Sequence, residues 1–126
     1  MNIKEATRKM KQDSFRMAAL SEEQRNAALE AVRTALIANQ EAIFQANNED
    51  MEAAKKAGIA PAVMKRLKFD HHKLQDVTAG IAELIKLPDP LSNVQLAREL
   101  DEGLELYRVT CPIGVIGIIF EARPDA

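Results

Sequence analysis

The chain has 126 residues with 17 basic against 19 acidic side chains, a formal net charge of -2 and 47% hydrophobic residues, the balance of one ordered domain rather than a disordered tail. Both signs of charge are spread evenly over its two halves, so no basic surface calls for nucleic acid or an anionic membrane. A single cysteine, Cys111, excludes an internal disulfide and a cysteine-based zinc site. Residues 1–10 (MNIKEATRKM) lack the apolar stretch of a secretory signal, and no apolar run is long enough to cross a bilayer, which points to a cytoplasmic protein.

Alanine is concentrated before residue 62 and β-branched residues after residue 104, so helices come first and strands last. The first helix is expected from about Lys4 to Ala19, with Ile3, Thr7, Met10, Phe15 and Met17 on a loose apolar side. Ser21-Glu22-Glu23-Gln24 has the form of a capping box and opens a second helix. The buried face of that helix would carry Ala28, Leu29, Val32, Leu36 and Ile43. Asn47-Asn48 is expected to interrupt or restart this helix, and Gly58 suits a left-handed stop. Pro61 opens a short helix to about Leu67. Asp70 caps the next, whose stripe of Leu74, Val77, Ile81, Leu84 and Ile85 runs until Pro88.

From Val94 the apolar period changes to two and predicts a β-hairpin whose turn needs Gly103 at positive φ. Gly114 to Phe120 (GVIGIIF) is apolar on both faces, as in a strand covered by helices within a parallel sheet. The fold expected is therefore α/β and incomplete: a helical layer over residues 1–87, a hairpin over 91–111, and a first buried sheet strand with a following turn over 112–126. No neighbouring strand of that kind follows.

Isolated features carry little chemistry. A lone Cys111 among Val, Thr and Ile reads as a small buried apolar residue. His71 and His72 are adjacent on a helix and diverge by about 100°, which suits solvated first-turn residues rather than a metal pair, so no metal site is expected. Glu121 has no placed acid or base partner and reads as structural.

The run from Arg108 to Ala126 (RVTCPIGVIGIIFEARPDA) resembles the γ-glutamyl phosphate reductases, or glutamate-5-semialdehyde dehydrogenases, of the aldehyde dehydrogenase superfamily. Ala46-Asn47, Lys55-Lys56-Ala57-Gly58, Arg66-Leu67 and Leu87-Pro88-Asp89-Pro90 agree in order and spacing, so the resemblance extends over the whole chain as an amino-terminal portion. It implies NADPH-dependent reduction of L-glutamyl 5-phosphate to L-glutamate 5-semialdehyde and phosphate, in proline biosynthesis, by a homo-oligomer. It also implies that Ile119, Phe120, Glu121 and Ala122 lie against the cofactor. Arg123 stands where other members of the superfamily place a carbonyl-polarising Asn, and its planar fork suits a leaving phosphate or a developing oxyanion. Asp125 departs from the Asn associated with this Arg-Pro pair and receives no role. The nucleophilic cysteine implied by the resemblance belongs to a later Gly-Gly-Cys-like motif absent from these residues, so this chain alone is expected to be inactive. Two rivals remain: a helical interaction module that pairs through its terminal strands, and a general aldehyde dehydrogenase. Against the second, Glu121-Ala122-Arg123-Pro124 replaces a Pro-Trp-Asn turn.

Overall fold

The computed structural model describes residues 2–125; Met1 and Ala126, the two ends of the expected domain span, lie outside the described residues. Five helices precede one hairpin: α1 (Ile3–Met17), α2 (Glu22–Ala38), α3 (Gln40–Lys56), α4 (Pro61–Leu67), α5 (His71–Ile85), β1 (Val94–Asp101) and β2 (Leu104–Val109). They fall into two compact units. One holds α1 with Pro88–Gly117, and the other holds α2 to α5 with the residues from Ile118 onward.

In the second unit the core is built around a polar side chain. Asn47, 7% exposed, lies inside α3 and reaches the segment between α4 and α5. Its Nδ2 donates to the Leu67 carbonyl at 2.9 Å, and its Oδ1 accepts from the Phe69 amide at 2.7 Å. Donor and acceptor of one amide thus satisfy two backbone groups that no helix serves. Phe69 and Leu74, 8% and 5% exposed, close over this link. The Phe44 ring sits 6.4 Å from that of Phe69 and 4.4 Å, edge on, from His71.

The helix break expected at Asn47-Asn48 falls instead at Asn39. There Nδ2 donates to the Ala35 carbonyl at 2.7 Å, competing locally with the helical ladder. Asn47 does not compete, because its amide is engaged twenty residues away. Gly58 ends α3 at φ 69°, with its amide on the Lys55 carbonyl and that of Ile59 on the Ala54 carbonyl, as the sequence predicted. Asp70 caps α5 by accepting from the Lys73 amide at 3.2 Å. At the far end of α5 the Asn26 side chain donates to the Ile85 carbonyl at 3.4 Å.

In the first unit β1 and β2 pair antiparallel, with Ala97 opposite Tyr107 and Arg98 opposite Leu106 and with irregularities on either side. Gly103 turns the hairpin at φ 74°, and Asp101 and Glu99 accept from the amides of Glu102 and Gly103. The base is tied by Asp89, which accepts from the Leu91 amide, and by Asn93, whose amide donates to Thr110 Oγ1. Every residue of both strands is exposed, and so are Ile3, Met10, Phe15 and Met17 of α1, so neither expected apolar side is covered by the described residues.

Residues 112–120 form no strand. A strand needs a neighbour to take its amides and carbonyls, and the only ladder among the described residues is β1 with β2. Ile113, Ile116, Ile118 and Ile119 are accordingly exposed rather than buried.

Replacing Asn47 with Ala leaves the Leu67 carbonyl and the buried Phe69 amide unserved and is expected to cost about 2 kcal/mol in chemical denaturation; an unchanged midpoint would contradict the role given to this side chain. A second expectation concerns acid. The Lys68 ammonium, 2.8 Å from Asp70, and then the Lys73 amide hold the Asp70 carboxyl at about 2 against its ordinary 3.8. Because the folded value is depressed, this contribution is complete above about pH 4 and disappears as pH falls towards 2. Denaturation midpoints measured between pH 5 and 2 should fall more steeply for the native chain than for Asp70→Asn, and parallel curves would count against it.

Candidate functional site

Three features of the second unit converge on one cleft. The last turn of α4 carries Lys65 and Arg66, the first turn of α5 carries Lys73, and the segment after residue 118 turns back at Glu121-Ala122 to bring in Arg123 and Asp125. These five residues line a cleft of ≈ 240 Å³. Ala122 makes the turn at φ 51°, a left-handed conformation costing a side-chain-bearing residue about 1 kcal/mol. The Asn47 link fixes the turn between α4 and α5 and so sets how Arg66 and Lys73 lie to one another. Lys73 Nζ also donates to the Arg66 carbonyl at 3.4 Å.

The cleft is electrostatically one-sided, with four cations lined up against one carboxylate, Asp125. Lys73 Nζ lies 3.0 Å from Asp125 Oδ2, with about a third of each side chain exposed. The Lys73 hydrogen bond first and then the Asp125 backbone amide, with lesser help from the Lys73 and Arg123 charges, hold the Asp125 carboxyl below the usual carboxylate range although burial opposes them. An uncompensated set of lysine and arginine donors around a small concavity can hold an anion with oxygens on several sides, phosphate or carboxylate.

Of the residues anticipated from sequence, Arg123 lines this cleft. Ile119 and Phe120 precede it with their side chains exposed, and Glu121 and Ala122 form the bend. Asp125, which the sequence left without a role, pairs with Lys73. Lys65 and Lys73 were not anticipated, and Arg66 appeared only as part of a matching dipeptide; spacing along the chain gives no sign that residues so far apart meet Arg123. Gly114 requires its φ of 101°, whereas Gly117 opens onto free space. Cys111 is exposed, not the buried apolar residue expected, because the run around it has no covering layer. His71 packs on Phe44 and His72 pairs with Asp76 at 2.9 Å; among the described residues no cluster could hold a metal ion. No helix of the described residues is long and apolar enough to cross a membrane.

A layer of helices, a two-stranded hairpin and an apolar run that leads to a basic cleft are the mixed helical and strand elements with which an α/β domain opens. Comparison with known proteins narrows this. The γ-glutamyl phosphate reductase of Acetivibrio thermocellus is 52% identical over 126 residues, and that of Nostoc sp. is 49% identical over 125. Crystal structures of the γ-glutamyl phosphate reductases from Saccharomyces cerevisiae and Thermotoga maritima each cover 99% of the chain. Their TM-scores are 0.91 and 0.94, at 37% and 26% identity. No protein-family model matches. The chain is thus similar to γ-glutamyl phosphate reductases in sequence and fold over its whole length, and it spans 29% of the length of the Acetivibrio and Nostoc relatives and 32% and 30% of the two crystallised chains.

Proposed function

We propose that this chain supplies the substrate-facing segment of a cytoplasmic, homo-oligomeric enzyme that reduces L-glutamyl 5-phosphate with NADPH and a proton to L-glutamate 5-semialdehyde, phosphate and NADP⁺, in proline biosynthesis. The single observation that carries the reading is the position of Arg123 in a cleft with three further cations, which suits a substrate whose reactive end is a phosphate. A helical layer over residues 1–87, a hairpin over 91–111 and a first sheet strand with its active-site turn over 112–126 are the parts this segment would contribute to the whole enzyme. The uncovered faces of β1 and β2 support self-association, since a lone two-stranded hairpin is marginally stable in water.

The guanidinium of Arg123 would hold the acyl phosphate through two parallel hydrogen bonds and take up charge as the phosphate leaves. Lys65 adds a second positive charge to the same concavity, while Asp125 restrains Lys73. The residues suited to the nicotinamide end of the cofactor are Ile119, Phe120, Glu121 and Ala122. They fit it in that the exposed Phe120 ring and Ile119 side chain offer an apolar surface beside the bend that leads into the cleft. When bound, NADPH supplies the hydride. The nucleophilic thiol would come from outside this segment, because Cys111 precedes the apolar run and does not line the cleft.

In a full-length reductase carrying this segment, Arg123→Ala should lower kcat/KM for the acyl phosphate by about a hundredfold, the usual effect of removing one charge-stabilising donor. Steady-state kinetics that match the native enzyme in both kcat and KM would refute the assignment.

A further inference from the structure

The cleft holds more than a phosphate requires. A site for a simple anion gains nothing from a carboxylate among its cations, yet Asp125 sits there, ionised, about a third exposed and 3.0 Å from Lys73 Nζ. We propose that the Arg66, Lys73 and Asp125 corner of the cleft reads the zwitterionic α-amino-acid head of the substrate, the ammonium on Asp125 and the carboxylate on Lys73 and Arg66, leaving Arg123 to the phosphate.

The inference rests on the reductase reading above and deepens it by assigning the end of the substrate remote from the reaction. Its geometry comes from the donors and acceptors in place. Lys73 Nζ has three protons; one goes to Asp125 and one, at 3.4 Å, to the Arg66 carbonyl, which leaves one directed outward. Asp125 accepts from Lys73 and from its own backbone amide and keeps further lone pairs for a cation. Arg66 lines the same wall. A positive and a negative group held side by side match an ammonium and a carboxylate borne on one carbon. They match neither a phosphate nor an uncharged aldehyde. Sites built to bond a polar group discriminate strongly against analogues that lack it, because the buried partners are then left unserved. Asp125 and Lys73 are positioning and recognition residues here; neither is required to touch the reacting carbon.

The test uses a full-length reductase carrying this segment, run in the aldehyde-oxidising direction with NADP⁺ and inorganic phosphate. L-glutamate 5-semialdehyde is compared with butanal, which has a reactive end but no amino-acid head. The measured quantity is the ratio of kcat/KM for the two aldehydes. Asp125→Asn and Lys73→Met should each lower that ratio at least tenfold, through KM for the semialdehyde. If both activities fall together and the ratio stays within twofold, the pair serves only to shape the segment and the proposal is overturned. A ratio within twofold with no loss of either activity overturns it as well. If the unaltered enzyme oxidises neither aldehyde, the reductase reading itself fails, a result distinct from the other two.

Discussion

The architecture of the second unit hangs on the two hydrogen bonds of the Asn47 side chain. One buried amide takes the Leu67 carbonyl and the Phe69 amide, and through them ties the end of α4 and the start of α5 to the middle of α3. A short connection between helices leaves backbone groups without helical partners, and a buried one must satisfy them from a side chain. With Phe69 held, Asp70 reaches its capping position on Lys73, and the first turn of α5 comes to lie beside the last turn of α4. The cleft wall that carries Lys65, Arg66 and Lys73 is the consequence. The chain from backbone bond to cap to charged wall is short, so the core directly places Lys65, Arg66 and Lys73.

The two units contrast in how they are covered. Around α3, α4 and α5 a small core is closed by Phe44, Phe69 and Leu74. In the first unit the apolar residues of α1, the hairpin and the run to Gly117 stand open, Ile113 at 88% exposure. Local hydrogen bonds shape the hairpin without burying it: the turn at Gly103, the Asp89 and Asn93 links at its base, and the Tyr107 hydroxyl on Glu105. So much apolar surface on a chain of balanced charge suits elements made to be covered by other protein, in keeping with a segment whose relatives are more than three times as long.

Much of the fold was legible because short-range chemistry decides it. Pro61, Gly58, Asp70 and Gly103 each impose or permit a local geometry whatever surrounds them, and the structure uses all four as expected. Asn47 was misread as a helix breaker because its role depends on residues twenty positions away, which no local pattern encodes. The run from Gly114 to Phe120 shows the converse. Its composition is that of a buried strand, but composition states what a segment needs and not whether partners are present. Arg123 was legible through the motif around it. Lys65, Lys73 and the counter-charge of Asp125 were not, because the cleft joins α4, α5 and the segment after residue 118, and only the tertiary arrangement brings them together.

The account is tested most directly by a crystal structure of the full-length reductase carrying this segment, bound to a non-hydrolysable phosphonate analogue of L-glutamyl 5-phosphate. It predicts the phosphonate oxygens within hydrogen-bond distance of the Arg123 guanidinium and the amino-acid end against Arg66, Lys73 and Asp125. An analogue bound elsewhere, with Arg123 turned away from its phosphonate, would contradict it.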